Sequence, residues 1–132
     1  MSVAFAPHPL SIAEAAQATG LTTHTLRYYE REGLLLELVE RASSGHRRYS
    51  DRDLTSIVML TRLRATGMPI REIRTYAELC RGGDGNEALR LALLHAHRDR
   101  VRAQLVDVRD NLEAIERKIR IYEECVAPAA RP

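Results

Sequence analysis

Between Leu91 and Val126 the chain carries apolar residues on a seven-residue period. Leu91, Leu105, Leu112, Ile119 and Val126 form one series, which Arg98 breaches. Leu94, Val101, Val108, Ile115 and Tyr122 form the other. The two interleave at spacings of three and four, the a/d seam of a helix that pairs with another helix. A helix over residues 86–126 is about 60 Å long at roughly 1.5 Å per residue, too long to fold back along its whole length on the residues before it. Each large apolar side chain gains roughly 1.5–3 kcal/mol on full burial. About ten of them in water forfeit well over ~10 kcal/mol, even against a compact unfolded chain. The seam therefore calls for a partner helix, and a second copy of the chain is the simplest one. Its expected pairing residues are Leu94, Val101, Leu105, Val108, Leu112, Ile115, Ile119 and Tyr122.

Ahead of the seam the pattern changes several times. Ser11 and Glu14 form a capping box before the apolar face Ile12, Ala15 and Ala16, and Gly20 stops that helix. Thr22 or Thr23 caps a second helix that runs to Gly33. Two short helices joined by a turn make a helix-turn-helix. Helical period is lost from Leu34 to Ser50. There the apolar residues Leu35, Leu36, Leu38 and Val39, the turn cluster Ser43–Gly45, and then Arg47, Arg48 and Tyr49 read as a β-hairpin, or wing. Ser50 and Asp53 start a third helix with Leu54, Ile57, Val58, Leu60 and Leu63 inward. Pro69 opens a fourth, with Ile70, Ile73, Tyr76, Ala77 and Cys80 on its inner side.

The expected organisation is a mainly α chain. A lead-in (1–10) precedes a winged helix-turn-helix head (11–81). A linker (82–85), a dimerisation helix (86–126) and a tail (127–132) too short for a further domain follow.

Composition narrows the function. Hydrophobic residues are 45% and charged residues 29% of the chain, a globular balance. A net charge of +2 says little about nucleic acid by itself, so the placement of the charges matters more. The two cysteines are too few for a disulfide framework and suit a reducing cytoplasm. No stretch reaches the roughly 20 apolar residues of a membrane span, and the start lacks the features of a signal peptide. No catalytic Ser/His/Asp set or paired carboxylates stand out. Gly82, Gly83 and Gly85 have neither a preceding strand nor a following Lys-Ser/Thr. The chain is therefore expected not to be an enzyme, and no cofactor or metal is implied.

The head offers a surface for double-stranded DNA. The start of the second helix exposes Thr22, Thr23, His24 and Thr25, and a helix N-terminus favours phosphate. Arg27, about a turn further on, pairs with guanine or phosphate. Tyr28 and Tyr29 add hydroxyls, and Leu26 with one of the two tyrosines faces the core. Wing residues Arg47, Arg48 and Tyr49 suit backbone and narrow minor groove. A coiled-coil adaptor with a protein-binding head, and an architectural DNA-binding accessory protein, are the alternatives that share the seam.

LSIAEAAQATGLTTHTLRYYEREGLL, then SGHRRYSDRDL, then LRATGMPIREI occur in order, and this run closely resembles the MerR family of bacterial transcription regulators over about Leu10 to Leu79. His46 stands where the family usually has an aromatic residue, and Pro69 where it usually has a capping serine. The resemblance implies homodimers joined through antiparallel long helices and bound to a pseudo-palindrome between two widely spaced promoter elements. It also implies activation by bending and untwisting that DNA so that RNA polymerase engages both elements. Thr23, His24, Arg27, Tyr28 and Tyr29 of the recognition helix and Arg47, Arg48 and Tyr49 of the wing are then the DNA contacts.

Sensing in this family lies near the ends of the dimer helix and shifts an existing equilibrium. The chain looks like a short form without a C-terminal ligand domain, responsive to a small-molecule or thiol-reactive inducer. The aldehyde-responsive branch carries a cysteine in the helix that here spans Leu54 to Leu63, and this chain has none there. Cys80 and Cys125 are the candidate sensing residues, and in an antiparallel dimer Cys80 of one copy could approach Cys125 of the other. Two thiolates suit a soft monovalent ion but do not complete a tetrahedral zinc site. His95 and His97 are expected on the outer face.

Overall fold

The computed structural model describes residues 9–37 and 39–127. The lead-in before Pro9, Leu38 of the wing segment and the tail beyond Ala127 lie outside the described residues. The elements are helices α1 (Ile12–Thr19) and α2 (Thr23–Arg31), strands β1 (Glu40–Arg41) and β2 (Arg47–Arg48), and helices α3 (Asp51–Ala65), α4 (Ile70–Arg81) and α5 (Glu87–Val126). The chain divides into two compact units between Leu94 and His95.

In the first unit, local chemistry sets the helix boundaries. Ser11 accepts from the Glu14 backbone while Glu14 accepts from the Ser11 backbone, the reciprocal box that begins α1. Gly20 ends α1 at φ 73°, a left-handed turn that glycine adopts without a Cβ clash. Thr22, not Thr23, caps α2. Ser50 and Asp53 repeat the box at the start of α3. Pro69 caps α4 with no side-chain bond, but its carbonyl accepts from Glu72 and Ile73.

Helix α1 packs on α2 and α3, and α3 packs on α4. The aliphatic centre is built from Leu26, Leu34, Leu54, Ile57, Leu60 and Ile73, all fully buried. Leu34, Leu35 and Leu36 are also buried, but outside any strand, Leu36 in a bend, so the hairpin is shorter than its apolar run suggests. Glu40 pairs with Arg48 and Arg41 with Arg47, antiparallel, and these are the only strand residues described. Leu10, read as lead-in, instead bonds both ways with Tyr49 at 2.7 and 2.8 Å. Two-residue strands leave backbone groups unsatisfied, and Leu10 takes up part of that deficit.

Leu94, expected in the pairing seam, is half-buried against the head's own core together with Leu93. The first turns of α5 therefore belong to the head. In the second unit α5 continues as one helix, and its seam residues from Leu105 to Val126 are 46% to 66% exposed. No helix among the described residues is long and apolar enough to cross a membrane.

Candidate nucleic-acid interface

Helix α2 is amphipathic over a short length. Leu26 and Tyr29, three apart, turn inward and are buried, while His24 and Arg27, also three apart, are exposed. Thr22 is occupied as the cap. It accepts from the Thr25 N–H at 3.0 Å and donates to the Thr25 hydroxyl at 2.9 Å. Thr23 is half-buried. Of the two tyrosines, Tyr29 is the core residue at 4% exposure, whereas Tyr28 is half-buried. The guanidinium of Arg64 from α3 stands 5.9 Å from the Tyr28 ring and 5.8 Å from the Tyr29 ring. Arg31 covers Tyr28 at 5.7 Å. These cations add electrostatic attraction to the ring faces, and Arg64 links α3 to α2.

The wing is tied to α2 by one carboxylate. Glu30 sits four residues after Leu26, on the inner side of α2, and a charge there needs a partner. Arg47 supplies it, donating from Nε to Oε1 at 2.6 Å and meeting the same oxygen through Nη2. That hydrogen bond raises the Arg47 guanidinium above its ordinary value, outweighing burial. Arg41 approaches the same Glu30 oxygen at 3.4 Å and donates to the Gly45 carbonyl at 2.9 Å, which also braces the wing turn. Gly45 makes that turn at φ 87°, which disfavours any residue with a Cβ.

Arg48, next along β2, faces the opposite way by strand alternation and is exposed. Neither Arg48 nor Arg27 forms an ion pair among the described residues. Tyr49 is only 1% exposed, and its ring is part of the core. Its hydroxyl is the one buried side-chain polar atom among the described residues without a hydrogen-bond partner. Burial, then the nearby Glu30 carboxylate, pushes that phenol above its ordinary value.

Two α4 arginines clamp the connection between α2 and the wing. Arg74 Nε donates to the Glu32 carbonyl at 2.9 Å. Arg81 Nη1 donates to the Gly33 carbonyl at 3.2 Å and to the Leu35 carbonyl. Sequence reasoning missed Glu30, Arg41, Arg64, Arg74 and Arg81. Only Glu30 carried a local signal, its place on the inner side of α2; the arginines act across 11 to 48 residues of chain.

The candidate sensing residues lie apart from this face. Cys80 is half-buried beside Tyr76, and Cys125 is exposed. Burial and the neighbouring Cys80 raise the Tyr76 phenol. His95 is exposed as expected, but His97 is buried at 5% exposure, with its Nδ1 3.4 Å from Arg100 Nη2. Among the described residues no three His, Cys, Asp or Glu side chains converge on a metal position.

The family described as "MerR HTH family regulatory protein" matches residues 10–80, and one described as "MerR, DNA binding" matches residues 54–120. An uncharacterized HTH-type transcriptional regulator of Haemophilus influenzae is 35% identical over 115 residues, 87% of this chain and 84% of that protein. The HTH-type transcriptional regulator AdhR of Bacillus subtilis is 37% identical over 92 residues, 70% of this chain and 65% of that one. Among solved structures, HiNmlR, a MerR family regulator lacking the sensor domain and bound to promoter DNA, superposes with a TM-score of 0.81 at 34% identity. That match covers 90% of this chain and 94% of the other. A MerR family transcriptional regulator from Bacillus thuringiensis gives a TM-score of 0.75 at 30% identity, over 84% and 96% of the two chains. With helix-turn-helix, wing and long helix in the same order, the chain belongs to the MerR family of helix-turn-helix transcriptional regulators, DNA-binding proteins rather than enzymes.

Proposed function

We propose that the chain binds promoter DNA as a homodimer on a pseudo-palindrome, and regulates by bending and untwisting that DNA so that RNA polymerase engages both promoter elements. The observation that carries this reading is the braced pair of α2 and wing. Glu30 and Arg47 hold the two together while Arg27 stays exposed and uncommitted. Arg27 and His24 are the base-edge or phosphate contacts of the recognition helix, with Tyr28 beside them. Arg48 is the wing's free cation. Arg47, engaged by Glu30, sets the angle of the wing, and the buried Tyr29 and Tyr49 position the backbone that carries these groups. The exposed α5 seam supports the homodimer, because a helix with that much apolar surface gains by pairing. HiNmlR, bound to promoter DNA without a sensor domain, supports the same mode.

The test is a nuclease footprint of the full chain on its own upstream genomic DNA across a salt series. The expected result is one protected stretch with dyad symmetry. Its apparent affinity should fall as salt rises, with a log–log slope near −0.9 for each phosphate neutralised. Protection that ignores salt, or none at concentrations where the protein is dimeric, overturns the reading.

A further inference from the structure

The root of the wing, residues 33–37, hangs on few contacts. Leu34, Leu35 and Leu36 anchor it through buried side chains. Its backbone needs partners as well, because a main-chain carbonyl away from water calls for a donor. The Gly33 and Leu35 carbonyls find theirs in Arg81, whose Nη1 lies 3.2 Å from the Gly33 oxygen and also donates to the Leu35 oxygen. No other group among the described residues donates to either carbonyl. Arg74 takes the Glu32 carbonyl at the end of α2, and so braces the recognition helix instead. An open cleft of about 380 Å³ is lined by Gly33, Leu35 and Val39 together with Glu30, Arg41 and Arg81. The root has room to shift there once the guanidinium is gone.

Arg81 is the last residue of α4, and helix ends tend to fray. Two features hold this one. The Gly82 N–H donates to the Glu78 carbonyl at 2.9 Å, which continues the helical pattern by one residue. Asn86 Nδ2 donates to the Leu79 carbonyl at 2.8 Å, and Arg90 Nε donates to Asn86 Oδ1 at 2.7 Å. The opening turn of α5 thereby latches the last turn of α4, and Arg81 is held where it can reach the root.

Resting on the wing's part in DNA binding proposed above, we infer that Arg81 is a positioning residue of the DNA interface. Its guanidinium fixes the root of the wing, and so the place of Arg48, without touching DNA itself. The route is short. The root leads into β1, and Glu40 of β1 pairs with Arg48 of β2, so a displaced root carries Arg48 with it. Arg81 is half-buried and committed to two carbonyls, whereas Arg48 is exposed. The arginine side chain suits this task. Nη1 carries two N–H groups held in the guanidinium plane, one for each carbonyl, and a lysine ammonium lacks that fixed geometry.

The experiment is a double-mutant cycle on the full chain, read as affinity for the duplex it protects in the footprint. Arg81→Ala is expected to weaken binding roughly tenfold, as loss of a wing contact would. In an Arg48→Ala background the same change should cost about threefold or less, because the contact that Arg81 positions is already gone. In an Arg27→Ala background it should still cost roughly tenfold, since Arg27 reaches DNA from α2. Equal losses in both backgrounds would mean that Arg81 does not act through the wing, and would overturn the assignment while leaving the DNA-binding reading in place. A wild-type chain that protects no DNA overturns both. Arg81→Lys guards against a head that has merely unfolded, because it keeps a cation at the C-terminus of α4. With the thermal midpoint of wild type, it should still bind roughly threefold or more weakly, having lost the planar pair of donors. Full affinity in Arg81→Lys would reduce the residue to its charge and overturn its positioning role.

Discussion

The segment up to Leu94 and the segment from His95 treat apolar residues in opposite ways. In the first, Leu26, Leu54, Ile57, Leu60 and Ile73 are fully buried by their own chain. In the second, Leu105, Val108, Leu112, Ile115, Ile119 and Tyr122 remain about half exposed or more. Polar groups divide the same way. The head answers its half-buried Glu30 with Arg47, while Arg102, Arg109, Glu116 and Glu123 of α5 have no ion-pair partner among the described residues. A region that satisfies itself is a folding unit, and one that does not leaves apolar surface open to a partner. The head should thus tolerate changes in α5 from Leu105 onward, and changes in the head core should unfold the head without touching the seam.

Val108→Asp with Leu112→Asp tests that division most severely. Four apolar side chains leave the seam of each dimer, for a loss of roughly 6–12 kcal/mol before any penalty for burying carboxylates. Sedimentation should report monomers, and the head amides should keep their hydrogen-exchange protection. A persistent dimer would mean that the seam is misread. Leu54→Ala makes the complementary change. It removes most of a fully buried side chain of α3, and should lower head stability by about 2–5 kcal/mol in denaturant unfolding. If the midpoint does not move, Leu54 is not the core residue its burial makes it.

What was legible in the sequence follows the range of the interactions. The boxes Ser11–Glu14 and Ser50–Asp53 span three residues each, so sequence alone located the starts of α1 and α3. The heptad period repeats often enough to define α5. The tyrosine pair in α2 was ambiguous because adjacent residues lie 100° apart on a helix, and only packing in the head core chooses Tyr29. Leu10 joining Tyr49, Leu94 turning to the head core and Arg81 reaching the Leu35 carbonyl are contacts between distant residues. Nothing in the local pattern of either partner encodes them. The site was half visible for the same reason: Arg27 was read from its own helix, but the role of Arg47 depends on Glu30, 17 residues earlier.

Arg27 and Arg47 therefore separate into two kinds of effect. Arg27→Ala removes an exposed, uncommitted cation and should weaken DNA binding by about 1–3 kcal/mol, with the salt slope reduced by about one. Arg47→Ala frees the wing and leaves Glu30 half-buried without its main partner. It should weaken binding too, but with a measurable loss of head stability, on the order of 1–3 kcal/mol. Glu30→Gln should share the wing defect and keep the Arg27 salt term. Equal thermal midpoints for Arg47→Ala and wild type would return Arg47 to the role of a simple DNA contact.

The smallest effect concerns the start of α5. The backbone N–H groups of Glu87 itself and of Gly85 hold the exposed Glu87 carboxyl below its ordinary value near 4.5. A carboxylate there also complements the positive end of the helix. Because the folded value is depressed, the stabilisation is present above the unfolded value and is lost as pH falls through the folded one. Glu87→Gln should consequently match wild type in acid and fall slightly behind it above pH ~5. The difference should appear in exchange of the first α5 amides, and the dimer dissociation constant should stay unchanged. A change in dimer affinity instead would show that the beginning of α5 takes part in the seam, and the boundary between the self-satisfied head and the pairing helix would then move ahead of Leu94.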